Sequence, residues 1–206
     1  MPFIDNNFKI TTPIQAKKIL MTAADDSPVY KAAENLARFL QNQNQNILLI
    51  DGDLGNGTNE NPNLTQVLRD KGAIPKAIRK VQSLAVLGGK ADYSLAQTSA
   101  CFQSQFLSDL QLYEEHFNRT ITAIGPQNVQ LQNLWLEWAD KTILFFKNNN
   151  IFLEKTAEFL STHKNQISGL IGVDSNSHET RLAWMRLKKI VPETPDLILD
   201  IKKIAL

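Results

Sequence analysis

Short runs dense in aliphatic and aromatic residues alternate along this chain with longer stretches whose apolar positions recur at helical spacing. The runs at 18–22, 46–50, 83–87, 120–124, 141–146 and 167–173 read as strands, several of them nearly continuous in apolar residues, as in a sheet covered on both faces. Between the first two, Val29, Ala32, Ala33, Leu36, Ala37 and Leu40 fall at i, i+3, i+4, i+7, i+8 and i+11, which puts one apolar stripe on a helix. Further helical periods cover about 98–117, 128–138, 152–163 and 178–189. Strands alternating with helices specify parallel strands joined by right-handed crossovers. The fold class is therefore α/β, a three-layer α/β/α sandwich with a mainly parallel sheet. Residues 1–17 show no period and read as an N-terminal arm to one domain spanning 18–206. QNQNQN at 41–46 is a polar turn, and the segment from Pro192 fits either an edge strand or a short docking helix.

Composition narrows the partners. A chain of 206 residues is long enough to bury a full core and is of ordinary size for one domain. Lys plus Arg is 22 against 21 for Asp plus Glu, so no global field draws in nucleic acid or an anionic membrane, and such binding needs a local patch. No apolar run approaches the ~20 residues of a membrane span. The first ten residues lack the basic start and apolar stretch of a signal peptide, and the single Cys101 cannot form an internal disulfide, so a cytoplasmic location is expected. Only 9 residues are glycine, which matters because phosphate-cradling loops depend on them.

Two stretches carry a resemblance. KILMTAADDSPVYKAAENLARFL at 18–40 is followed by ILLIDGDLGNG at 47–57. Together they resemble the deviant-Walker P-loop ATPases of the MinD and ParA group, in which a strand, a Gly-rich loop ending in Lys and Ser or Thr, a helix with an N-L-A segment and an LLIDxD strand follow in that order. Asn35, Leu36, Ala37 and the run 48–53 match. Downstream, NPNLTQVLRDKGAIPKAIRKVQSLAVLGGK at 61–90 and QTSACFQSQFLSDLQLYEEHFNRTITAIGP at 97–126 resemble the bacterial tyrosine kinase branch that serves polysaccharide export. WADKTILFFKNNNIFLEKTAEFL is similar to a strand and helix shared by the whole P-loop NTPase-like group, and the ordered resemblance spans about 18–190.

The site departs from that pattern. A working P-loop converges backbone N–H groups on phosphate oxygens at a helix N-terminus while a Lys reaches the β- and γ-phosphates. Here the corresponding residues are Ala23, Ala24, Asp25, Asp26, Ser27, Pro28 and Val29, with no glycine and with Val29 where the resemblance places the lysine. Asp25 and Asp26 set carboxylates where phosphate charge must sit. Ser27 followed by Pro28 is a favoured N-cap and N1 pair, so the helix is expected to cap itself. Lys31, three residues on from Pro28, is the candidate to reach back in place of the lost lysine. Asp51 and Asp53 correspond in the resemblance to carboxylates that position water and support Mg²⁺, and otherwise cap the turn after their strand. A third acid is missing, since Ala123, Ile124, Gly125 and Pro126 stand where the branch reads I-D-T-P. The tyrosines, Tyr30, Tyr93 and Tyr113, are internal, which excludes autophosphorylation on a Tyr-rich tail.

Other chemistry is sparse. Cys101 sits in an apolar period and reads as packing, and His116, His163 and His178 have no spacing of metal ligands, so no metal is expected. Glu114, Glu115 and His116 read as solvated surface. Trp135 and Trp138 share a helical face and read as core. Arg181, Arg186, Lys188 and Lys189, with Trp184 among them, read as a solvated helix face, with contact to nucleic acid or acidic lipid as the alternative.

The resemblance with a degenerate loop implies a catalytically inactive ATPase or tyrosine-kinase-like accessory subunit in exopolysaccharide or capsule biosynthesis and export, acting through protein contacts. Its partners would be another copy, a paralogous ATPase or a membrane polysaccharide co-polymerase holding it peripherally at the inner membrane, with no nucleic acid and no cofactor. The alternatives are an active ATPase or tyrosine kinase with an atypical loop, which alone requires ATP and Mg²⁺, and a positioning protein of the MinD or flagellar-number type.

Overall fold

The computed structural model describes residues 16–52, 74–88, 100–126, 129–173 and 176–197. Seven strands form one sheet: β1 (Lys18–Ala23), β2 (Ile47–Asp51), β3 (Ile78–Val81), β4 (Leu84–Leu87), β5 (Arg119–Ile124), β6 (Lys141–Lys147) and β7 (Ile167–Val173). Their order is β3-β4-β2-β5-β1-β6-β7, all neighbours parallel except the β3–β4 hairpin. The six sequence-predicted strands are all present. The one missed, β3, has two half-buried and two exposed residues and two cations in IRKV, so it lacks the apolar run that marks β4 at the same length.

Six helices among the described residues accompany the sheet: α1 (Val29–Gln41), α2 (Ile74–Ala77), α3 (Ala100–Glu114), α4 (Val129–Trp138), α5 (Asn150–His163) and α6 (Ser177–Ile190). Period-two alternation divides the strands between two cores. Ile19, Met21 and Ala23 of β1, with Ile47 and Leu49 of β2, meet the α1 stripe of Val29, Ala32, Ala33, Leu36, Ala37 and Leu40. Leu20, Leu48 and Ile50 point the other way, toward α2 to α6. Among the described residues α1 alone covers its face. Each large side chain so buried contributes about 1.5–3 kcal/mol, and α1 holds its place through this stripe.

Trp135 and Trp138 are core, packed edge to face at 5.2 Å between ring centres. Cys101 lies in α3, its packing outside what is described. The segment after Pro192 runs extended beside β7: Leu197 bridges Leu170 in parallel, and the Leu170 N–H donates to the Asp196 carbonyl at 3.1 Å. That fits an edge strand up to residue 197. Of the N-terminal arm, only residues 16 and 17 fall among the described residues.

Glu114 corrects an expectation. It is buried, not solvated, because the last turn of α3 folds over the start of β1, with the Lys18 ammonium 4.0 Å away. Burial pushes its carboxyl up to about 6 despite the nearby Lys18. A carboxyl raised above its unfolded value of 4.5 binds more protons in the folded chain, so its contribution is complete below 4.5 and is lost as pH rises through about 6. Glu114→Gln should therefore be up to about 2 kcal/mol more stable than the parent at pH 8 and near neutral at pH 4, read by urea unfolding at both.

A second close approach fixes β7 against α6. A Cβ on Gly172 would lie 2.3 Å from Thr180 Cγ2. Gly172→Ala should cost about 1–3 kcal/mol in denaturant unfolding. Adding Thr180→Ser, which deletes that methyl and keeps the hydroxyl bond to the Asn176 carbonyl at 2.9 Å, should recover part of the loss.

Candidate functional site

Parallel strands deliver their C-terminal ends to one edge of the sheet, and ligands of such folds bind there. The loop between β1 and α1 lies at this edge, because β1 is central, between β5 and β6. The root of β1 is fixed by polar contacts: the Thr22 hydroxyl donates to the Ile124 carbonyl at 2.9 Å, and the Gln132 amide of α4 donates to Thr22 Oγ1 at 2.8 Å and to the Ala23 carbonyl at 3.1 Å.

Asp25 organises the turn that follows. Its side chain is buried, and both carboxylate oxygens are used. Oδ1 accepts the Ser27 N–H at 2.8 Å and the Ser27 hydroxyl, and Oδ2 accepts the Lys147 backbone N–H at 3.1 Å. Asp26 points out and pairs with the Lys147 ammonium at 2.8 Å, which holds its carboxyl below the usual range. That ammonium also lies 5.5 Å from the centre of the Phe152 ring. The loop is thus tied to the end of β6 twice, once through backbone and once through side chain.

The expected Ser27 cap is not formed. Pro28 is the residue flanking α1, no side chain caps the helix, and the Ser27 hydroxyl turns back to the Asp25 side chain, an acceptor already in reach. The Ser27 carbonyl instead takes the Val29 N–H at 2.8 Å. Lys31 does not turn back to the loop either. Its ammonium pairs along the helix with Glu34 at 2.9 Å, and Arg38 grips the same carboxylate at 2.8 Å. Both cations hold Glu34 below its ordinary range, Lys31 the more strongly.

Asp51 ends β2 almost fully buried, with Gly88 packed so closely that a Cβ there would come within 2.8 Å of the Asp51 Cβ. The next residue, Gly52, donates its N–H to the Ala123 carbonyl at 2.7 Å. Tyr30 stands toward Asp51: burial first, then the Asp51 and Glu34 carboxylates, push its phenol up to about 12, so it stays neutral. Asp53 lies outside the described residues. Between the loop and the β5 end is an open cleft of about 360 Å³, walled by Asp26, Tyr30, Lys31, Ile124, Gly125 and Pro126 among others. The structure therefore gathers Asp25, Asp26, Ser27 and Lys31 at one cleft. Among the described residues, no group of His, Cys, Asp and Glu forms a metal site.

Lys147 was not singled out from sequence, yet the parallel register reveals it. Ala23 is level with Phe145, so Asp25 two residues on is level with Lys147.

No protein-family model matches the sequence, and no curated protein matches it. Solved structures do resemble its fold. Apo McdA from Cyanothece superposes with a TM-score of 0.71 over 92% of this chain and 90% of its own, at 17% identity. A ParA family ATPase from Chlorobium tepidum gives 0.67 over 89% and 85% at 15% identity. The fold is that of the ParA and MinD P-loop ATPases. A chain of the Aquifex aeolicus MinC:MinD cell division protein complex gives 0.66 over 89% and 81% at 14% identity. At these identities the likeness is one of architecture.

The N–H groups of Ser27 and Lys147 both point at the Asp25 carboxylate, which competes for donors that a phosphate in this loop would need. Two like charges 4 Å apart repel by about 4 kcal/mol at an effective dielectric of ~20, and the Lys147 ammonium at the loop is already paired with Asp26. Asp25→Ala orphans these donors and should cost about 1–3 kcal/mol in urea unfolding, whereas Asp26→Ala, at an exposed pair, should leave stability close to that of the parent.

Proposed function

We propose that this chain is a nucleotide-independent, partner-binding protein of the MinD positioning type, built on an ATPase fold whose phosphate loop is held shut by its own carboxylates. The single observation that carries this reading is the Asp25 latch: one buried carboxylate takes the donors of the β1–α1 turn and of the last residue of β6, at the end of the sheet where phosphate would be bound. A loop satisfied internally gains nothing from a phosphate and loses its hydrogen bonds by admitting one. Lys31, paired with Glu34, does not supply the missing positive charge. Without Mg·ATP, Asp51 is a strand-end carboxylate packed on Gly88 and the fold's use reduces to its surfaces.

The partner class is protein. MinD of Aquifex aeolicus is solved with MinC, and a relative of that architecture without a working site keeps the means to contact another chain. An accessory role in exopolysaccharide production would leave the same loop closed. Of the two segments that carry that resemblance, half of 61–90 and most of 97–126 are described, while the solved structures of this fold include ParA, MinD and McdA proteins, which favours the positioning role.

Isothermal titration with Mg·ATP and with Mg·ADP is expected to give no saturable heat at millimolar nucleotide. Saturable binding together with hydrolysis lost in Asp51→Asn would instead establish a working ATPase with an atypical loop.

A further inference from the structure

The two edges of the sheet differ. At β7 the edge is taken up by the returning chain, where Leu197 bridges Leu170. At the other end β3 is the outermost strand, and among the described residues no strand pairs with its outer side. Lys80 and Val81 are exposed there, Val81 at 46%, high for an apolar side chain in a sheet. A two-residue turn, Gln82 and Ser83, joins β3 to β4, and its φ angles of 50° and 71° are those of the tight hairpin turn that matches strand twist. Such a turn closes on a hydrogen-bonded pair, here Val81 with Leu84, and the pairing alternates from there. Arg79 is therefore bonded to Val86, while the N–H and C=O groups of Ile78 and Lys80 face away from the sheet. The side-chain amide of Gln41, the last residue of α1, donates to Ser83 Oγ at 3.2 Å, so this register is also held from outside the hairpin.

The charge of this edge is of one sign. Lys76, Arg79 and Lys80 are the charged residues of 74–88, with no Asp or Glu among them. Lys76 and Lys80 are exposed and have no ion-pair partner among the described residues. Ile78 packs on the core, and Lys80, two residues on, stands on the same face of the strand. An edge lysine discourages pairing with a neutral or basic strand, whereas a carboxylate directly opposite turns the same residue into an attraction. Two copies of β3 set edge to edge would bring Arg79 and Lys80 against like charges, so a second copy is a poor occupant. Nucleic acid satisfies cations but presents no ladder of alternating N–H and C=O groups to Ile78 and Lys80.

We propose that the outer edge of β3 receives an extended acidic segment of a partner protein as an added strand, its main chain bonded to Ile78 and Lys80 and a carboxylate set opposite Lys80. Main-chain bonds supply the affinity and the charge supplies the selectivity. Strands β4, β2 and β5 separate this edge from β1 and the Asp25 loop, so the contact stands whether or not the loop admits nucleotide.

Fluorescence anisotropy of a short fluorescein-labelled peptide alternating Glu and Val, titrated with the full chain, tests it. Saturable binding is expected, and none for a peptide alternating Lys and Val. The Glu-Val peptide methylated at its backbone nitrogens keeps its charge but donates nothing, and should bind about tenfold more weakly or worse. Lys80→Glu should lower binding of the unmethylated peptide about tenfold or more, with the circular dichroism of the parent. Lys80→Ala removes the charge alone, whereas Lys80→Pro also removes the outward N–H and leaves the bonds of Arg79 and Val81 to β4 in place. Lys80→Pro should therefore bind about fivefold more weakly than Lys80→Ala, and the methylated peptide probes the same bond if the proline variant does not fold. The proposal is overturned by no saturable binding of the Glu-Val peptide, by equal binding of the Lys-Val peptide, by Lys80→Glu binding as the parent does, or by undiminished binding of the methylated peptide. A dimer of the full chain in sedimentation that Lys80→Glu dissociates would assign the edge to a second copy and overturn it equally.

Discussion

A carboxylate taken out of water must have its oxygens hydrogen-bonded, and the way Asp25 meets that demand shapes one whole end of this molecule. Its donors come from two places distant in sequence, the Ser27 N–H and hydroxyl beside it and the Lys147 N–H at the end of β6. Satisfying it therefore fixes the turn out of β1, the point where α1 begins and the exit of β6 at once. The Thr22, Ile124 and Gln132 contacts hold the root of the same turn from the other core, so the loop is anchored on both faces of the sheet. In a loop built for phosphate the equivalent donors wait for an external anion. Here the anion is covalently part of the chain, always present, and needs no binding entropy to arrive.

What makes this possible is register. β1 lies between β5 and β6, and the β1–β6 pairing sets Ala23 opposite Phe145. Counting two residues forward on each strand places Asp25 beside Lys147. A shift of one residue would also invert which core Ile19 and Met21 enter, so the apolar alternation that builds the two cores is what specifies the polar contact at the strand ends. The latch is in this sense a by-product of packing that the sequence at 25–27 exploits.

Much of this was readable in advance. Six strands and the helices at α1 and α3 to α6 follow from apolar patterning, the four-residue β4 included because all its residues are apolar and three are buried. β3 and α2, with four residues each, were not. The absence of glycine at 23–29 is legible in the sequence directly. The manner of its closure did not show, since Ser27 before Pro28 satisfies the local capping rule and only the tertiary position of Asp25 outbids it. Glu114 failed for a related reason: in EEH at the end of a helix, sequence alone does not distinguish the acid that faces β1 from the one beside it that faces water. Such errors cluster where a polar side chain serves a distant strand, the class of contact that local pattern does not encode.

A net charge of +1 conceals a separation of charge with consequences for control. Carboxylates of Asp25, Asp26 and Asp51 gather at the C-terminal ends of the central strands, while the outer face of α6 is cationic. A ligand shifts a conformational equilibrium only by its differential affinity for the two states. On the proposed reading the loop has no nucleotide-dependent state, so hydrolysis cannot time the attachment or release of a partner. Occupancy then follows concentration and the competing affinities of the surfaces themselves, and a cationic face screened by salt over ~8 Å at physiological ionic strength makes that balance responsive to ionic conditions.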